Sequence, residues 1–208
     1  MMYQSACESV LATDVLAPCQ SRRECARVGR FRRPRGASSR AVVVGADRRL
    51  DPLRPSDRSR PVGPAELRQT ARRYALNPNL AALLPDSNRE RTWARLAGDA
   101  RMDVWLISWP EGTETGWHDH GEASGAFAVA SGLVLEQTWA LGAVQQRTLA
   151  EADTRSFGPD HVHNVVGVGP GRALTVHAYA PALVTMGRFE LGPDGPYQRT
   201  GALDASSW

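Results

Sequence analysis

From Met102 onward, glycine or proline interrupts the chain at short intervals, and the stretches between are apolar and β-branched. Gly112, Gly132, Gly142, Gly158 and Gly167 punctuate this half, and Pro110-Glu-Gly112 and Gly158-Pro159-Asp160 read as turns. The segments 104–109, 125–130, 133–141, 144–149, 153–157, 162–166, 173–179 and 183–191 read as strands. Short strands with turn signals roughly every 8–12 residues indicate a β-sandwich or barrel. Segment 104–109 is apolar on both faces, as in a strand covered on both sides. A double-sheet jelly roll closes such strands around an interior able to hold a small site.

Ahead of the strands, 64–77 reads as a helix, with Pro64 in its first turn and Leu67, Ala71, Tyr74 and Ala75 at helical spacing. A short helix is expected at 80–84, closed by Pro85, and 89–97 is either helical or extended. Residues 1–61 are rich in Arg, Ser, Pro and Gly and read as an extension outside the folded domain, which spans 62–208. The charge divides the same way. Residues 1–60 hold 13 Arg against 6 acidic residues, and 61–208 hold 12 Arg against 16. No aromatic residues interleave the basic arm in a stacking pattern, so nucleic acid is not the expected partner.

Segment 41–45 reads as a short strand but lacks the glycine spacing of a dinucleotide site. Cys7, Cys19 and Cys25 all fall in the arm, at a spacing that fits no common zinc pattern, and are expected as free thiols. No apolar run reaches the roughly 18 residues of a membrane span, and no leader pattern is visible, so a cytoplasmic monomer is expected.

All five histidines lie between 118 and 177. His118 and His120 stand two apart, and on a strand such residues face the same way. They would point into one space, as two ligands on one metal must. A third ligand has to come from His161, His163 or His177. Alternation places His161 and His163 on one face, so spacing alone leaves the choice open. Thr175, His177 and Tyr179 alternate on a later strand and share a face too.

The spacing from Gly112 to His118-Asp-His120, with Gly132 as the closing glycine, resembles the first motif of the cupin superfamily. The glutamate ligand of that motif would fall near Ser124 or Gly125, and Glu122 comes too early. A narrower resemblance rests on three runs: Trp105-Leu-Ile-Ser-Trp-Pro-Glu-Gly with Trp117-His-Asp-His120, then His163-Asn-Val165, then Leu174-Thr-Val-His177-Ala-Tyr179-Ala-Pro181. Over residues 62–192 or so the chain is similar to the cysteine dioxygenase family, in particular its bacterial branch.

That resemblance implies a mainly β fold: a cupin-type double-stranded β-helix, or jelly-roll barrel, with N-terminal helices. It implies Fe(2+) on His118, His120 and His163, because the family's third ligand is followed two places later by valine, here Val165. It implies catalytic roles for Thr175, His177 and Tyr179, matching a Ser-His-Tyr series, and Tyr179 as a contact for substrate. Arg95 is the expected partner of the substrate carboxylate, with Arg91 close by. Family members that cross-link this tyrosine to a cysteine carry it where Gly125 stands here, so no cross-link is expected.

The implied reaction adds both atoms of O2 to the sulfur of L-cysteine. The alternatives are another small thiol such as 3-mercaptopropionate, or a cupin that binds a metal or ligand without catalysis. Trp105, Trp109 and Trp117 are expected in the core. Asp119 is expected to point away from the metal, as a partner of the ligands or as a structural residue.

Overall fold

The computed structural model describes residues 61–199 and the backbone of 203–204. The Arg-rich extension, its three cysteines and the strand expected at 41–45 lie outside the described residues. One α-helix, α1 (Pro64–Ala75), and a 3-10 turn (Leu80–Leu83) come first. The strands are β1 (Thr92–Gly98), β2 (Asp103–Pro110), β3 (Ser124–Ser131), β4 (Leu133–Ala140), β5 (Ala143–Ala150) and β6 (Thr154–Phe157). They continue as β7 (His163–Val168), β8 (Arg172–Ala180), β9 (Thr185–Met186), β10 (Phe189–Gly192), β11 (Gly195–Gln198) and β12 (Leu203–Asp204).

Two antiparallel sheets make the barrel. One runs β1-β2-β8-β3-β6 and the other β5-β4-β7. Strand alternation gives the larger sheet two different apolar faces. Val104 and Leu106 of β2, Ala126 and Ala128 of β3, and Leu174, Val176 and Ala178 of β8 form one, against Leu67, Ala71 and Tyr74 of α1. Ile107 and Trp109, Phe127 and Val129, and Ala173 and Tyr179 form the other, against Val134, Leu149 and Val165 of the smaller sheet. The chemistry-bearing positions 175, 177 and 179 therefore face the barrel interior.

The helix follows from its own pattern. Pro64 takes the first position, where its missing N–H costs nothing. Leu67, Thr70, Ala71 and Tyr74 make the buried stripe, and Arg72 and Arg73 sit in the last turn against the helix dipole. At the β3–β4 turn, Gly132 has φ +75°, and a Cβ there would stand 2.7 Å from Ala173 Cα. β5 lies at the edge of its sheet with Gln145, Gln146 and Arg147 exposed, a polar edge that discourages pairing with other chains.

Several expectations change. Of the segment 89–97, expected as helical or extended, residues 92–97 are extended, in β1. Segment 183–191 is not one strand; it divides into β9 and β10, and the Gly/Pro-rich end adds the β10–β11 hairpin and a β12–β9 pairing. His118 and His120 lie outside the named strands, held by two isolated bridges at His118, to His163 and to Arg188. His161 precedes β7 rather than sharing its face with His163. Among the described residues no helix is long and apolar enough to cross a membrane.

Leu67 is fully buried where α1 meets the sheet. Leu67→Ala should lower unfolding stability by about 2–5 kcal/mol in a urea titration.

Candidate metal centre

The backbones of two candidate ligands are tied directly together. His118 N–H donates to the His163 carbonyl (2.9 Å), and His163 N–H donates to that of His118 (3.0 Å). This pair joins the loop after β2 to the start of β7. His120 follows two residues later, and the three rings converge with centroids 4.7, 4.9 and 5.2 Å apart. One ligand nitrogen from each lies within 4.8 Å of the others, and all three residues are buried.

The hydrogen bonds fix which nitrogen faces inward. His118 Nδ1–H donates to the Gly116 carbonyl (2.9 Å), and His163 Nδ1–H donates to Glu136 Oε1 (3.0 Å). Both rings thus keep Nε2 as the nitrogen with a lone pair. Neither nitrogen of His120 has a hydrogen-bond partner. A buried polar atom left unpaired is costly, and an ion shared with the other two rings would satisfy it. Burial holds His118 and His120 well below the ordinary histidine range, each helped by a neighbouring histidine. Burial also lowers His163, although Glu136 pulls the other way. Neutral imidazole is the form that binds a metal. The set is three neutral nitrogens with no carboxylate, suited to a transition ion, and Glu122 is exposed.

A second group, Glu136, His161 and His163, is as compact. Its carboxylate is already engaged: Oε2 accepts from Arg155 Nε (2.6 Å) and Oε1 from His163. Burial pushes the Glu136 carboxyl up, but hydrogen bonds from His161 and His163 and the neighbouring charges hold it well below the usual carboxylate range. Sequence reasoning did not single out Glu136. The signal was an acid inside a strand at the same parity as buried Val134, hence facing in. Arg155 and His161 also line a pocket of about 450 Å³ with Thr138 and Trp139.

Beside the histidines runs a continuous hydrogen-bond series. Trp109 Nε1–H donates to Thr175 Oγ1 (2.7 Å), Thr175 Oγ1 lies 2.8 Å from His177 Nε2, and His177 Nδ1 lies 3.1 Å from the Tyr179 hydroxyl. Because the indole can only donate, the direction in which every group gives one proton runs Trp109 to Thr175 to His177 to Tyr179. Burial lowers His177 to about 3 and pushes the Tyr179 phenol far above its ordinary value, so the imidazole is neutral and the phenol keeps its proton. The Tyr179 ring lies 4.8 Å from that of His120.

The arginines separate clearly. Arg95 is exposed; its Nε lies 2.7 Å from Asp103 Oδ1 and its Nη2 engages the same oxygen. Arg91 is the buried one. Its guanidinium stands over Trp93 and Trp109 (5.8 and 5.2 Å), and Nη1 has no hydrogen-bond partner. Burial lowers it to about 10, with Arg188 adding to the effect, so it stays charged at neutral pH. Its charge acts on both His177 and Tyr179.

The remaining residues have structural places. Asp119 Oδ1 accepts from the N–H of Gly187 (2.7 Å) and of Gly121 (3.1 Å), pinning the loop beside the site. Trp109 is core, Trp105 packs against it and Trp117 is half-buried. A Cβ at Gly125 would run into the Phe157 ring and stand 3.1 Å from Tyr179 Cδ1.

The family model for cysteine dioxygenase type I matches residues 72–191. The chain belongs to that family. A search among curated proteins returns no match. Among solved structures, a cupin superfamily protein from Desulfitobacterium hafniense is similar at 17% identity and TM-score 0.42, covering 49% of this chain and 86% of that one. A conserved protein with a double-stranded β-helix domain from Klebsiella pneumoniae is similar at 20% identity and TM-score 0.43, covering 59% of this chain and 95% of that one.

In this cysteine dioxygenase family member, the buried His177 carries a pH signature. It binds a proton near pH 6.5 when unfolded but only near about 3 when folded. Between those values the unfolded chain holds the extra proton, so stability falls as pH is lowered. The contribution of this residue is about 1.4 kcal/mol per pH unit. Denaturant unfolding at stepped pH should show a slope at least that steep, since the other buried histidines add to it, and His177→Gln should remove this residue's share.

Proposed function

We propose that this chain is an iron(II) thiol dioxygenase that converts L-cysteine and O2 to cysteine sulfinate. The observation that carries the reading is the series Trp109–Thr175–His177–Tyr179 ending beside the His118/His120/His163 cluster. A plain binding site has no use for an aligned donor chain next to a metal-ready face.

His118, His120 and His163 would hold the ion through neutral nitrogens, leaving about three positions of an octahedral ferrous centre open. When bound, that ion supplies a centre at which a soft thiolate and dioxygen can meet. The overall change balances without a further reductant: the sulfur gains two oxygens and loses four electrons, and both atoms of O2 are taken up.

The protein residues bind and orient. The Arg91 guanidinium, buried against two indoles and lacking a partner at Nη1, is suited to a substrate carboxylate, which would relieve its unpaired donor. On this reading Arg91 takes the role that the family resemblance implied for Arg95. Tyr179 keeps its proton and would donate it as a hydrogen bond to the substrate carboxylate or to oxygen. Thr175 and His177 set the direction of that donor, and Trp109 anchors Thr175. The apolar wall of Phe127, Phe157 and Trp109 excludes water.

Incubation of the Fe(2+)-loaded protein with cysteine and labelled O2 should give sulfinate carrying both labelled atoms by mass spectrometry. Faster oxygen uptake with 3-mercaptopropionate would redirect the substrate, and no uptake with either thiol would overturn the dioxygenase reading. Arg91→Ala should raise KM for cysteine on the order of 10²-fold, as expected for the loss of a charge-assisted contact. Arg95→Ala should leave KM near the wild-type value.

A further inference from the structure

Glu136 has no part in the chemistry above, yet it is a buried acid, 2% exposed, on the sheet opposite the relay. Its two oxygens are divided. Oε1 accepts from His163 Nδ1 (3.0 Å) and Oε2 from Arg155 Nε (2.6 Å). β4 and β7 pair with Thr138 opposite His163 and Glu136 opposite Val165. Glu136 and His163 are therefore diagonal neighbours across the two strands, within reach of a long side chain.

The three imidazoles are held by three different means. His118 is anchored on a backbone carbonyl. His120 has no hydrogen bond and lies between the rings of Phe157 (5.0 Å) and Tyr179 (4.8 Å). His163 alone is anchored on a carboxylate.

We propose that Glu136 is a positioning residue for His163: it fixes the Nδ1–H tautomer, turns Nε2 toward the other two rings and strengthens that nitrogen as a donor. Arg155 holds the carboxylate in place from its other oxygen. A carboxylate behind a metal-bound imidazole raises ligand basicity, and losing such a partner typically weakens metal binding about 10–100-fold. Metal affinity at this centre is thus set in part by a residue that does not touch the metal. His161 is the weaker member of the group, 3.5 Å from Oε1 and partly exposed.

The inference rests on the three-histidine centre, and the test separates the two. Co(2+) is titrated against a chelating competitor into wild type, Glu136→Gln, Glu136→Ala, His161→Ala and His118→Ala, with d–d absorption recorded for each. Glu136→Gln should still take one ion per chain, bind it about 10–100-fold more weakly and shift the d–d bands, with the metal-free protein still unfolding in a single cooperative thermal transition. Glu136→Ala should lose at least as much, and His161→Ala should stay within a few-fold of wild type. His118→Ala should lose the site.

Affinity and spectrum unchanged in Glu136→Gln would overturn the positioning role. Should that variant fail to fold, Arg155→Gln carries the test, with a severalfold loss of affinity expected and no loss overturning the proposal. Normal binding in His118→Ala, together with its loss in His161→Ala, would instead move the ion to the Glu136/His161/His163 group and sink the three-histidine reading itself.

Discussion

A dry interior governs this molecule. Four of its imidazoles stand where burial disfavours any positive charge, and each is pushed below the ordinary histidine range. Neutrality keeps lone pairs available on the three that face one another, and it leaves His177 able to pass hydrogen-bond direction to a phenol. The same dryness makes Arg91 conspicuous, since a guanidinium with an unpaired nitrogen in such a place invites an anion. The neutral imidazoles and the protonated phenol both trace to burial away from water.

That exclusion is built by one large sheet doing two jobs. Odd-numbered positions of β2, β3 and β8 enter the barrel, while even-numbered ones pack beneath α1. A strand reading apolar throughout can thus supply a helix-binding surface and the lining of the barrel at once. The smaller sheet closes the chamber and brings His163 and its carboxylate partner. The site is assembled from both layers, with the paired backbones of His118 and His163 as the seam.

Much of this was legible in the sequence because the relevant periods are short. Alternation over 173–179 put Thr175, His177 and Tyr179 on one face, and they form one hydrogen-bonded line. Glycines and prolines marked most turns between β2 and β8, the β5–β6 turn at Glu151-Ala152-Asp153 having neither. What escaped depends on pairing across distance. The strands β9 to β12 are two to four residues long, too short for a period to register. Arg91 and Arg95 have the same parity around Trp93, so alternation cannot rank them; position along the sheet does, placing Arg95 opposite Trp105 and beside Asp103. Glu136 was hidden for a related reason, because a lone acid in a strand acquires meaning only once its cross-strand neighbour is known.

The contact between residues 125 and 157 has a consequence for how this chamber can vary. The Phe157 ring occupies the volume that any side chain at 125 would claim, so the two positions share one allotment of space. A thiol placed at 125 in this chain, beside the tyrosine, would require the facing ring to shift or be trimmed. Chemical modification of the phenol from this strand is thereby tied to the size of a ring on the next.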